Sequence, residues 1–387
     1  MDTLTSTKDL SALVKTLSKK PFITIDTEFL REKTYYPKLC LIQISDPEKN
    51  AVAIDPLADG MDLSPLYDLL ENPKVLKVFH AGRQDLEIFY NLTGKVVSPF
   101  FDTQIAAMVC GFGDSVGYEN LVRTITGQSI DKSAQFTDWS HRPLSERQIK
   151  YALGDVTHLC DIYLHLAEAL DARGRRGWVM QEEEVLADPK TYENDPYGAW
   201  RRVKIRSPKP QSLAVLREIA AWREEQAQER NIPKNWAMRD ETLADMAAQA
   251  PKSVEALKKI RGVSADMANG RTGKILLERI KTALSSPRED WPKPERKEAL
   301  PPQLQACADI LKMLLKVQSA EHEVAPKLIA SQDDLEKIAL SDAADVPALK
   351  GWRREIFGQD ALDLKNGKLA IGLKGDKIMK YRVQDLP

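Results

Sequence analysis

The sequence predicts a mixed α/β domain, a sheet flanked by helices, followed by two all-helical domains. Three observations lead there. Short β-prone runs first follow one another closely and then alternate with helical segments, the pattern of a mixed sheet with helices around it. A charged, proline-rich stretch at 285–302, SSPREDWPKPERKEALPP, interrupts the second half like a linker. On either side of it the apolar spacing is helical, and the second stretch loosely repeats the first. The boundaries read this way are 1–197 for the α/β domain, 207–286 and 303–364 for the helical domains, and 365–387 for a tail.

Taken in order, Leu10, Leu13, Val14 and Leu17 have helical spacing and predict a helix within 6–19. Phe22–Phe29, FITIDTEF, reads as a buried strand. Leu39–Ile44 and Ala51–Asp55 read as two more, close enough for an antiparallel meander. A helix within 62–70 has Ser64-Pro65 at its start. Lys74–Phe79 is a fourth strand, and a helix begins near Asp85. Phe100–Phe101 is extended, and Asp102 caps a helix running to Cys110. Ile149, Ala152, Leu153, Val156, Leu159, Ile162 and Leu166 form the apolar stripe of a long helix over 148–170. In the tail, the alternation of KLAIGLKGDKIMKYRV about Gly375-Asp376 predicts a hairpin.

Composition excludes several classes. Lys and Arg total 56 and Asp and Glu 57, so overall charge neither favours nor opposes a polyanionic partner. Cys40, Cys110, Cys160 and Cys307 form no CxxC pair, which suits free thiols in a reducing compartment. The N-terminus lacks the apolar core of a signal peptide, and no apolar run reaches the ~18 residues of a membrane span. A monomeric cytoplasmic protein with no membrane partner is expected. No GxxxxGK[ST] loop occurs, so neither a helicase nor a nucleotide cofactor is expected.

Acids stand where acids are awkward. Asp26 and Glu28 sit two apart in an apolar strand and leave the sheet on one face, a repulsion that a divalent cation with oxygen ligands would relieve. Asp85 follows an apolar strand. Tyr151 and Asp155 are four apart on the long helix and share a face. The pattern D-T-E, then H-x-x-x-x-D (His80–Asp85), then Y-x-x-x-D resembles the three exonuclease motifs of the DEDD superfamily in its DEDDy branch. The flanks TEFLREKTYYPKLCLIQIS, FDTQIAAMVCG and DWSHRPLSERQIKYALGDV resemble the bacterial ribonuclease D family.

That resemblance implies an RNase H-like fold and a 3′→5′ exoribonuclease that releases nucleoside 5′-monophosphates with two divalent ions, Mg²⁺ or Mn²⁺. It implies that Asp26, Glu28, Asp85 and Asp155 hold the ions, with Tyr151 orienting the attacking water. Thr27, Phe29, Gln43 and His80 are the expected substrate contacts. The expected substrates are the 3′ ends of structured RNA such as tRNA precursors. The alternatives are a DNA exonuclease of the same superfamily and a non-catalytic RNA-binding scaffold. Leu216, Ala221–Glu224, Asn231-Ile232-Pro233, Asp240, Leu243 and Ile260-Arg261-Gly262 resemble an HRDC domain, and a second, diverged copy is expected after the linker. The basic run RRVKIRSPKP at 201–210 is a further place for RNA contact.

Overall fold

The computed structural model describes residues 3–294 and 300–383. Part of the proline-rich stretch, 295–299, and the last four residues of the tail lie outside the described residues. The chain forms two compact units. One comprises residues 3–28, 41–191 and 300–383, and the other 29–40 and 192–294.

The sheet of the first unit has six strands: β1 (Thr3–Leu4), β2 (Phe22–Leu30), β3 (Lys38–Ser45), β4 (Ala51–Ile54), β5 (Leu76–Phe79) and β6 (Phe100–Asp102). Their order is β1-β4-β3-β2-β5-β6. β3 and β4 are antiparallel, whereas β2, β5 and β6 run parallel. β2 therefore lies near the middle of a mixed sheet. The strand Thr3–Leu4 was not legible in the sequence. It pairs parallel with β4 over two residues only, too short for any periodic pattern to show.

Helices α1 (Thr7–Leu17), α2 (Ser64–Glu71), α3 (Arg83–Thr93), α4 (Thr103–Val109), α5 (Tyr118–Thr126), α6 (Glu146–Ala172) and α7 (Arg176–Ala187) surround the sheet. α6 starts at a capping box, in which Ser145 and Gln148 satisfy each other's backbone N–H groups. Its stripe of Ile149, Ala152, Val156, Leu159, Ile162 and Leu166 is buried. The Thr24 hydroxyl of β2 donates to the Val156 carbonyl of α6 at 2.7 Å. The even-numbered side chains of β2 thus face α6, and Ile23 and Ile25 pack on the other side of the sheet.

The chain divides differently from the boundaries read in the sequence at two places. First, 29–40 belongs with the second unit. There the N–H groups of Tyr35 and Tyr36 both donate to Asn231 Oδ1 at 3.0 Å. Helices Pro210–Glu229, Asp240–Gln249 and Arg271–Ser285 of that unit close over Leu216, Ile219, Leu243, Met246, Leu276 and Ile280.

Second, residues 300–383 join the first unit. Helices Pro302–His322 and Gln332–Leu340 bury Leu311, Leu314, Leu335 and Ile338. β7 (Leu369–Lys374) and β8 (Lys377–Arg382) form an antiparallel hairpin. This region docks on α7. Trp178 and Trp352 stack with ring centroids 4.4 Å apart, and Arg175 and Arg353 each lie 4.7 Å over one of the two rings. The Arg353 guanidinium also pairs with Glu182. An apolar stack flanked by cations gives no periodic signal across a separation of this length, so the sequence could not show it. Trp352→Ala should destabilise the protein by about 3–5 kcal/mol, the usual cost of emptying a large aromatic site. A shift of the urea midpoint at unchanged slope measures it.

Candidate active site

β2, α3 and α6 bring the four motif acids to one place. Carboxylate oxygens of Asp26, Glu28 and Asp155 lie within 4.8 Å of one another. Asp26 and Glu28 are half-buried and Asp155 is 8% exposed. Asp85, in the first turn of α3, is buried close by and receives a short hydrogen bond from the Thr27 hydroxyl. The Tyr151 phenol hydrogen-bonds Asp155 one turn along α6. Ile25, Asp26, His80, Tyr118, Tyr151, Asp155 and Leu159 line a cleft of about 170 Å³.

The electrostatics follow from that crowding. Burial pushes the Glu28 carboxyl up to about 10, and repulsion from Asp26, Asp155 and Asp85 adds to it. Burial lifts Asp26 to about 6 against a backbone hydrogen bond from Thr27. Asp155 rises to about 8 through burial and the charge of Asp26, opposed by the Tyr151 hydrogen bond and by Lys132. Asp85 is raised by burial and by Asp26. Tyr151 is raised too, chiefly by burial and Asp155, so it stays a neutral phenol at any ordinary pH. Hard oxygen donors whose protons are held only by desolvation and mutual repulsion fit a divalent cation of the Mg²⁺ or Mn²⁺ kind.

The four expected substrate contacts are placed unequally. Thr27 is buried, and its hydroxyl donates to Asp85. Gln43 is 0% exposed in β3, and neither amide atom has a hydrogen-bond partner among the described residues, so the structure puts it inside the sheet layer and out of reach of RNA. His80 lines the cleft, but Nδ1 lies 3.0 Å from Thr103 Oγ1 and the ring also bonds the backbone of Val116. Burial lowers it to about 4, so it is a neutral wall rather than a cationic contact. Phe29 is half-buried and follows Glu28 on the alternate face of its strand.

Two residues escaped the sequence reading. Tyr118 opens α5, and its hydroxyl donates to the Asp155 carbonyl, while its ring lies 5.1 Å from that of His80. Lys132 pairs with Glu119 at 2.8 Å and acts on Asp155. Neither sits in a motif, and α5 itself was not foreseen.

A family model described as 3′-5′ exonuclease matches residues 1–171, and one described as HRDC domain matches 212–280. Ribonuclease D of Gluconacetobacter diazotrophicus is 47% identical over 377 residues, 97% of this chain and 96% of the relative. Ribonuclease D of Nitrobacter hamburgensis is 46% identical over 380 residues, 98% and 99% of the two chains. The chain belongs to the ribonuclease D family. Escherichia coli RNase D, whose crystal structure is described as that of an exoribonuclease involved in structured RNA processing, superposes with a TM-score of 0.79 at 32% identity. The match covers 95% of this chain and 99% of that one. This ribonuclease D family member is a 3′→5′ exoribonuclease and a nuclease hydrolase of a metal-using superfamily, built as a mixed-sheet exonuclease domain followed by an HRDC domain. Among the described residues no helix is long and apolar enough to cross a membrane.

The raised carboxyls have a pH consequence. Between about pH 4 and the raised values of 6 to 10, the folded metal-free site holds protons that the unfolded chain has lost. Stability therefore falls as pH rises across that window. A cation displaces those protons, so its stabilising effect grows with pH. Melts with and without Mn²⁺ should show a larger increment at pH 8 than at pH 6. Asp155→Ala should melt no lower than the unsubstituted protein without metal and should lose the increment; a large fall without metal would make Asp155 a structural residue.

Proposed function

We propose that this ribonuclease D family member removes nucleoside 5′-monophosphates one at a time from 3′ ends of structured RNA such as tRNA precursors, using two Mg²⁺ or Mn²⁺ ions. The observation that carries the reading is the convergence of Asp26, Glu28 and Asp155 within 4.8 Å, with Tyr151 bonded to Asp155. Asp26, Glu28, Asp85 and Asp155 would hold the ions, which would supply activation of the attacking water and stabilisation of charge on the phosphate.

The protein's own groups do the rest. The raised Tyr151 phenol keeps its proton and orients the attacking water without accepting a proton from it. Tyr118, bonded to the Asp155 carbonyl, fixes the turn of α6 that presents both Asp155 and Tyr151. Thr27 holds Asp85 in its rotamer. Buried Leu159 and neutral His80 wall the cleft and restrict water there. The E. coli relative's work on structured RNA supports the substrate assignment. Residues 303–364 are assigned as a second, diverged HRDC-like domain on their helical composition and core.

Equal-sequence RNA and DNA, each 5′-labelled and incubated with Mg²⁺, Mn²⁺ or EDTA, test the reading. Stepwise shortening of RNA in either metal, none in EDTA and little on DNA is the expected result. Tyr151→Phe should slow turnover by roughly 10²–10⁴-fold and leave Mn²⁺ affinity unchanged in a titration; loss of metal binding with the fold intact would contradict its role.

The basic run is assigned to RNA contact. Arg201, Arg202, Lys204, Arg206 and Lys209 are all exposed, and Arg201 lies 5.1 Å over the ring of Trp200. Each phosphate contact removed by alanine should lower the slope of log affinity against log salt by about 0.7–0.9. Salt titrations of the alanine variant with a tRNA-like ligand measure this, and an unchanged slope would show that the run touches no phosphate.

A further inference from the structure

Asp102 ends β6 and N-caps α4, accepting from the Gln104 N–H at 2.8 Å. Its carboxylate does more than cap. The same Oδ1 accepts from the Ala81 N–H at 3.0 Å, and Oδ2 accepts from the Gly82 N–H at 2.9 Å. These two donors belong to the turn between β5 and α3. The turn is demanding: Ala81 has φ +53°, and a Cβ on Gly82 would lie 2.5 Å from Cβ of Phe79. The N-cap residue of α3, Gly82, has no side chain to cap the helix, and its own N–H is one of those Asp102 takes. Asp85 stands three residues further on, in the first turn of that helix.

Asp102 is itself held. Its backbone N–H donates to a Glu183 carboxylate oxygen at 2.6 Å, and Glu183 is a buried residue of α7. Phe79 and Asp102 are paired across β5 and β6, and the Thr103 hydroxyl donates to the Phe79 carbonyl at 3.0 Å. A buried acid therefore spans from one strand end to the next and grips the turn that aims Asp85.

We propose that Asp102, anchored by Glu183, is a positioning residue for Asp85. This rests on the reading that Asp85 serves a bound cation. Asp102→Asn isolates the function, because Oδ1 still caps α4 while an amide NH₂ replaces the oxygen that accepts from Gly82. Supporting partners of metal ligands typically change metal affinity or activity by about 10–100-fold.

The test is a Mn²⁺ binding isotherm on the full chain, with turnover of a short RNA measured alongside, for the unsubstituted protein, Asp85→Ala, Asp102→Asn and Glu183→Ala. In Asp102→Asn the Mn²⁺ that depends on Asp85 should bind about 10–100-fold more weakly. kcat should fall with KM unchanged, and excess Mn²⁺ should restore kcat. Glu183→Ala should shift the isotherm in the same direction, and it decides the matter alone if Asp102→Asn does not fold, since it leaves the Asp102 carboxylate in place. Unaltered binding in Asp85→Ala would remove the cation role of Asp85, and this proposal with it. Weakened binding in Asp85→Ala with unaltered isotherms in the folded Asp102 and Glu183 variants would overturn the positioning role alone, leaving Asp102 a helix cap.

Discussion

The constraint on which the rest of the structure depends is the repulsion among four carboxyls gathered at the end of one strand and the faces of two helices. Left to themselves, such groups would turn to water or stay protonated. Burial and mutual charge hold Glu28 and Asp155 far above the usual carboxylate range, which is the signature of acids prevented from escaping. The confinement is built from ordinary parts. A central strand points two side chains to one face, and a long helix crosses that face, tied to it by the Thr24–Val156 hydrogen bond. The site crowds oxygen donors of a kind that suits a divalent cation.

Holding the acids together is only half of the requirement; each must also keep its direction. Asp155 is steadied from two sides, by Tyr151 at its carboxyl and by Tyr118 at its carbonyl. Asp85 is steadied by Thr27, and its helix begins at a turn whose N–H groups are taken by Asp102. The Tyr151 and Thr27 hydroxyls also ease the charge of the acids they bond, and Lys132 does so for Asp155 while engaged with Glu119. α7 serves two neighbours at once. Adjacent residues Glu182 and Glu183 reach Arg353 of the C-terminal region and the backbone of Asp102, respectively.

Much of this was legible in the sequence because it is periodic or local. The alternation through Phe22–Phe29 showed a strand with two acids on one side, and the i, i+4 spacing of Tyr151 and Asp155 showed a shared helix face. What was illegible depends on distant partners. Thr27 and His80 read as ligand contacts because they flank motif acids, and only the fold shows their polar atoms already engaged. Gln43 read as a polar side chain in want of a partner, and the fold buries it without supplying one among the described residues. Tyr118 lies outside every motif. The docking of 300–383 beside α7 rests on two tryptophans far apart in the chain, and no pattern within a window could join them.

That docking has a consequence for the order in which the protein is made. Trp178 leaves the ribosome long before Trp352 exists; at about 5–20 residues per second the wait is roughly ten to thirty-five seconds. During that interval the sheet and its acids can form, but α7 presents an unstacked tryptophan and an unpaired Glu182 on its outer side. The second unit is synthesised in between. A nascent chain of this family member therefore passes through a stage in which its nuclease half is largely assembled yet still has an open apolar flank. Residues 300–383 close that flank, so the first unit is finished only after the second has been made.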